Sequence, residues 1–210
     1  DTAVNVTKYP PGADVRATGV LSAVYDEDDS LHIVWVEPLY SSGDARSECY
    51  ISHWSKATGI DQVADGTYNF DDTYLTNPAR TYNLNDPFIG VHDGTADGTR
   101  KGYLYVVYNQ YGPGTSDASV QKQANGEIYI NASTNGGNTW GNPINLTNSP
   151  TPGCDTNNCD SDVIPSCAER VNDTIHILYL NDKSAGSVLD NKGGPSLNPF
   201  FYYKYPAYKP

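Results

Sequence analysis

Apolar residues in this chain come in short bursts, and the bursts recur. Three six-residue segments align: Ser30-Leu-His-Ile-Val-Trp35, Tyr103-Leu-Tyr-Val-Val-Tyr108 and Thr174-Ile-His-Ile-Leu-Tyr179. Each ends on an aromatic, and the ends fall about 72 residues apart, a spacing that marks an internal repeat. Runs this short, rich in β-branched and aromatic residues, read as buried strands. Each is preceded by a shorter strand and an acidic turn, at residues 19–26, 87–93 and 163–169. Each is followed by a further strand, at residues 49–54, 127–132 and 200–205. No convincing stretch places apolar residues at helical spacing. The fold class predicted is all-β.

Strands joined in sequence make antiparallel meanders. A single meander sheet cannot bury both faces, whereas stacked sheets can. A repeated meander is the unit of a β-propeller blade. The pattern predicts one β-propeller-like domain of three antiparallel blade-like units, roughly 17–84, 85–160 and 161–210. A ring needs at least about four blades. The segment is therefore expected to belong to a larger propeller or assembly, completed by further copies of itself or by the rest of a longer parent chain. The outer faces of its end units, near Val34 and Leu178, are expected to be uncovered.

Composition adds to this picture. The 17 Tyr suit pleated surfaces, and the 19 Gly and 14 Pro suit turns. With 13 basic and 25 acidic residues the net charge is −12, a field that repels nucleic acid and anionic lipid. No apolar run approaches the ~20 residues of a helical membrane span. Asp1 opens a sequence without methionine, as expected of a processed or excised piece.

The four cysteines are Cys49, Cys154, Cys159 and Cys167. An even count in such a chain favours an oxidising, extracellular setting. Zinc is the competing reading, but no CxxC pair and no nearby His complete a tetrahedral set. Spacing favours a Cys154–Cys159 disulfide around a polar loop. Cys49 and Cys167 lie in different units and are given no pairing.

One motif points to a family. Ser133-Thr-Asn-Gly-Gly-Asn-Thr-Trp140 resembles the Asp-box, Ser-x-Asp-x-Gly-x-Thr-Trp, of sialidase-like β-propellers. Ser133, Gly137, Thr139 and Trp140 match, and Asn135 replaces the usual Asp. Hydroxyls and a short Asx side chain bond the turn's own backbone, Gly supplies positive φ, and Trp packs into the blade. A worn version occupies residues 55–59, and the third unit has none. From about residue 17 to 205 the chain is similar to propellers of secreted bacterial surface proteins, most closely at 145–154, Cys159 and 173–182.

The resemblance implies architecture more than activity. Sialidases of this kind use three arginines, a Tyr nucleophile assisted by a Glu, and an Asp acid/base, with the first arginine in an Arg-Ile-Pro context. None of Arg16, Arg46, Arg80, Arg100 and Arg170 has that context. Asp28/Asp29 and Asp71/Asp72 could form a hydrolase dyad, but adjacent strand residues face opposite ways, which favours solvated turns. No catalytic residue is assigned.

Other features carry paired readings. The acidic turns at 26–29, 93–97 and 160–162 could ligate calcium or simply be solvated; no metal site or other cofactor is assigned. His32 and His176 hold equivalent repeat positions, which favours packing. Tyr202, Tyr203, Tyr205 and Tyr208 could stack on sugars or form blade core and edge. Sequons stand at Asn5, Asn131, Asn145 and Asn172. Asp-Ser/Thr-aliphatic patterns of bacterial O-glycosylation stand at Thr2, Ser30 and Thr174, where a good turn is the alternative. The function expected is a non-catalytic extracellular structural or adhesive module, a surface or fibre unit with glycan-binding loops. The alternative is a fragment of a sialidase-like glycoside hydrolase.

Overall fold

A computed structural model of the chain describes residues 2–18, 20–41, 44–68, 82–92, 94, 99–112, 116–186 and 192–207. Among the described residues there are twelve strands and no helix. The first sheet runs β1 (Leu21–Tyr25), β2 (Leu31–Ser41), β3 (Asp44–Ser55) and β4 (Gly59–Gly66), in that order. The central sheet is β5 (Leu84–His92), β6 (Leu104–Tyr111), β7 (Gly126–Ser133) and β8 (Ile144–Asn145). The third sheet places β11 (Thr174–Asp182) between β9 (Ser161–Cys167) and β12 (Phe200–Pro206). A short strand, β10 (Arg170–Val171), leaves the third sheet's neighbourhood and pairs in parallel with β5. Gly90 permits that approach, since a Cβ there would lie 2.7 Å from the Ala168 carbonyl.

The repeated apolar segments fall in β2, β6 and β11, each of which has a partner on both sides. Strand neighbours on both edges leave only the two faces to cover, and in the central sheet both are covered. Leu104, Val106 and Tyr108 project into one core with Val24, Val34, Val36 and Ile51 of the first sheet. Tyr105, Val107, Ile128 and Ile130 project into a second core with Ile175, Ile177 and Tyr179 of the third. Alternation along one strand thus feeds two interfaces.

This corrects one expectation. Val34 is not on an uncovered face: its position points toward the central sheet, and it is fully buried there. Leu178 is exposed. The other side of β2 carries Trp35, which is covered by the chain's N-terminal segment. The Trp35 indole N–H donates to the Tyr9 hydroxyl at 3.2 Å, and that hydroxyl in turn donates to Glu37.

Candidate functional site

The start of β7, the end of β6 and the residues after β8 meet around a cleft of about 150 Å³ lined by Gln110, Asp117, Asn125, Glu127, Tyr129 and Asn145. The 116–125 and 146–160 segments wall it. Glu127 is half-buried near the start of β7. Its Oε1 accepts the Ser149 N–H at 2.9 Å, and its Oε2 accepts the Thr147 hydroxyl. Burial holds its carboxyl above the usual carboxylate range, and the negative charges of Asp162 and Asp117 push the same way. Asp117 faces the same cleft, and its Oδ1 accepts from Thr151 N at 2.9 Å and Asn125 Nδ2 at 2.8 Å.

Behind Glu127 stands a third acid. Asp162, buried in β9, accepts from Asn181 Nδ2 at 2.6 Å and from the Ser149 hydroxyl at 2.7 Å. Ser149 therefore ties Glu127 and Asp162 together through its backbone and its side chain. Burial raises the Asp162 carboxyl as well. Nothing in the local sequence marks these groups as a set. Glu127 opens an ordinary strand, Asp117 sits in a long loop, and the repeat alone relates neither to Asp162.

Cys154 and Cys159 are disulfide-bonded, as the spacing favoured. The bridge closes a loop that leans on the cleft wall: Gln121 Nε2 donates to Asp155 at 2.7 Å, and Val120 N donates to the Cys154 carbonyl at 2.9 Å. Cys49 and Cys167 are free thiols in separate sheets, and burial pushes each up to about 12.

The Ser133–Trp140 turn lies at the other end of β7, roughly 20 Å from Glu127 at strand rise. Ser133 Oγ accepts from Asn135 N and Gly137 N at 3.3 and 2.9 Å. Asn135 Oδ1 accepts Thr139 N at 3.0 Å, and Asn135 Nδ2 donates to Thr139 Oγ1 at 2.8 Å. Gly137 has φ +87°, and a Cβ there would strike the His53 ring at 2.2 Å. Trp140 is half-buried and meets His53 of the first sheet edge-on at 5.4 Å, so it packs into the core shared by the first and central sheets. Trp140→Ala is accordingly expected to cost about 2 kcal/mol, below the roughly 3–5 kcal/mol of a fully buried ring. Asn135→Ala should cost about 1 kcal/mol, its turn hydrogen bonds alone. Urea midpoints of the two variants check this order.

The remaining candidates scatter. Asp26 Oδ1 accepts the N–H groups of Asp28 and Ser30, an Asx turn, and Asp28 pairs with Lys101 at 2.7 Å. Asp160 pairs with Lys183. Among the described residues no group of three or more acids, histidines or cysteines could hold a metal ion. Asp71, Asp72, Arg80, Asp93, Asp97 and Tyr208 lie outside the described residues. Arg16 sits over Tyr40, Arg46 pairs with Glu48, and Arg100 pairs with Asp173 at 3.3 Å. Among the described residues no arginine lines the cleft. His32 is buried against His53, whereas His176 is exposed and stacks on Tyr202. Tyr203 and Tyr205 pack on the second core. Asn131 is buried, with its amide donating to the Val63 carbonyl at 2.6 Å, so its sequon is closed to a glycan in the folded chain. Thr2, Asn5, Ser30 and Asn172 are exposed; Thr174 and Asn145 are half-buried.

No protein family matches the sequence, and no curated protein does. Solved structures similar to it include an α-L-arabinofuranosidase from Fusarium graminearum, aligned over 83% of this chain and 42% of its own at 12% identity and TM-score 0.45. The catalytic domain of an α-L-arabinofuranosidase from Coprinopsis cinerea aligns over 78% and 47%, at 10% identity and TM-score 0.40. A Hadza microbial sialidase aligns over 81% and 33%, at 18% identity and TM-score 0.43. The chain spans less than half the length of each of these three.

Proposed function

We propose that this chain is a three-bladed segment of an extracellular, propeller-like glycoside hydrolase, and that the Glu127 cleft binds a neutral sugar. The observation that carries the reading is the pairing of two carboxyl groups on one polar cleft, one of them raised by burial. Glycoside hydrolysis uses such a pair: an acid that stays protonated delivers a proton to the leaving oxygen, and an ionised partner acts across the ring. Glu127 takes the first role and Asp117 the second. The amides of Gln110 and Asn145 suit sugar hydroxyls. A volume well below the roughly 300–1,000 Å³ of drug-sized sites suits one sugar ring. With no arginine in the described lining and several acids around it, the cleft disfavours a sugar carboxylate. The disulfide supports the extracellular setting.

A second reading, a glycan-binding adhesive module without turnover, draws on the hydrogen bonds of Glu127. Both of its oxygens already accept from the fold, which opposes proton delivery. Fluorogenic α-L-arabinofuranosides and other neutral glycosides, with calorimetric binding of the free sugars, separate the two. Under the first reading Glu127→Gln lowers kcat/KM by about 10²-fold or more, the scale of a lost general acid, and a sialoside is not cleaved. Binding without turnover selects the second reading. Neither binding nor turnover on any neutral sugar removes both.

A further inference from the structure

The repeat assigns each position a direction. On β6, Leu104, Val106 and Tyr108 face the preceding sheet, and Tyr105 and Val107 face the following one. On β11, Ile175, Ile177 and Tyr179 likewise face back toward the central sheet. On β2, Val34 faces forward to it. The forward positions Val34, Val107 and Leu178 are equivalent in the repeat. The first two are 0% exposed, and Leu178 is 45% exposed. The same holds one pleat away, where His32 and Tyr105 are buried and His176 is exposed. Around Leu178, cross-strand pairing adds Tyr202 and Phe200, at 57% and 66% exposure. The third sheet thus presents a forward face built like the two that are covered, with no other described strand packed on it.

The complementary surface is the backward face of the first sheet. Pairing sets Ala23, Ile33, Trp54 and Ile60 in one row and Leu21 beside Trp35 in the next. Tyr9 lids Trp35, but Leu21 is 63% and Ile60 39% exposed, and Ala23 is open. Asp65 stands on this face, and Lys204 stands on the forward face of the third sheet. Contiguous apolar faces of this kind are uncommon on monomers and mark interaction sites.

We infer that the forward face of the third sheet is an assembly surface whose occupant is the backward face of the first sheet of a second copy of this chain. The contact continues the sheet-on-sheet relation already made twice within the chain. It is head-to-tail, so the two surfaces differ, and repetition closes a ring or extends a filament according to the rotation per copy.

Sedimentation equilibrium of the 210-residue chain at micromolar concentration tests this. The expected mass is at least twice the 22.8 kDa of one chain. Leu178→Glu and Leu21→Glu each remove one surface, and each is expected to reduce the mass to that of one chain. Both sites are exposed, so the fold is retained, as circular dichroism will verify. An equimolar mixture of the two variants keeps one intact surface of each kind and is expected to recover a 1:1 dimer and nothing larger. A monomeric wild-type chain, an unchanged mass for Leu178→Glu, or a mixture that stays monomeric overturns the inference. A monomeric wild-type chain would leave the face to another part of a longer polypeptide or to a different protein.

Discussion

Tyr108→Ala is expected to destabilise the fold by roughly 3–5 kcal/mol, the cost of emptying a large aromatic site in a packed core. The ring is fully buried between the first and central sheets and stacks on Tyr129 with centroids 6.0 Å apart. Neither sheet can close such a gap alone, because each is held in register by its own ladder. The hydroxyl behaves differently. It is buried without a hydrogen-bond partner, which is a cost to the folded state. Tyr108→Phe keeps the ring and removes that cost, so it is expected within about 1 kcal/mol of wild type, on the stabilising side. Urea unfolding of the two variants separates shape from polarity. Equal losses would mean that the hydroxyl has a partner after all.

Acid should weaken the contact between the same two sheets through His53. Burial, aided by the neighbouring His32, lowers its pKa from 6.5 to about 3. Asp26 accepts from His32 Nε2, which leaves His32 Nδ1 to accept from His53 Nε2 at 2.9 Å. His53 Nδ1 is buried without a partner. The unfolded chain protonates this histidine below pH 6.5 and the folded chain does so only near 3. Between those values the unfolded state holds the extra proton, and stability falls as pH falls. The contribution lost between pH 7 and pH 5 is about 2 kcal/mol. Asp86, Glu127, Asp162 and Asp182, all raised by burial, act in the opposite sense. They are common to wild type and His53→Gln, so the difference between the two proteins isolates the histidine. His53→Gln is expected to be less stable at pH 7, with its deficit narrowing by about 2 kcal/mol at pH 5. A deficit independent of pH would mean that His53 titrates normally in the fold.

Much of the site was illegible along the chain for a stated physical reason. The 133–140 turn closes through hydrogen bonds spanning four residues or fewer, so residue types at fixed spacing were enough to read it. The Cys154–Cys159 clip spans five and was equally local. Glu127, Asp117 and Asn145 come from a strand, a loop and another strand, and no spacing links them. Their common cleft exists only because β6, β7 and the flanking loops end at one place. Asn131 carried a sequon that reads as a surface site, and pairing in β7 turned it inward to Val63.

The sequence by itself located three strands of each unit, and missed β4, β8 and β10. Alternation, β-branched runs and turn residues are properties of neighbours along the chain, and they located β2, β6 and β11 and the repeat that relates them. Only the tertiary structure decided which faces those strands cover. Val34 and Leu178 occupy the same repeat position with similar side chains, yet one is sealed and the other is wet. Trp140, read as packing into its blade, also lies against His53 of the preceding sheet. The period of a strand is two, so its sequence shows that both faces are apolar but carries no label for what lies beyond each face. That information resides in the order in which the sheets stack.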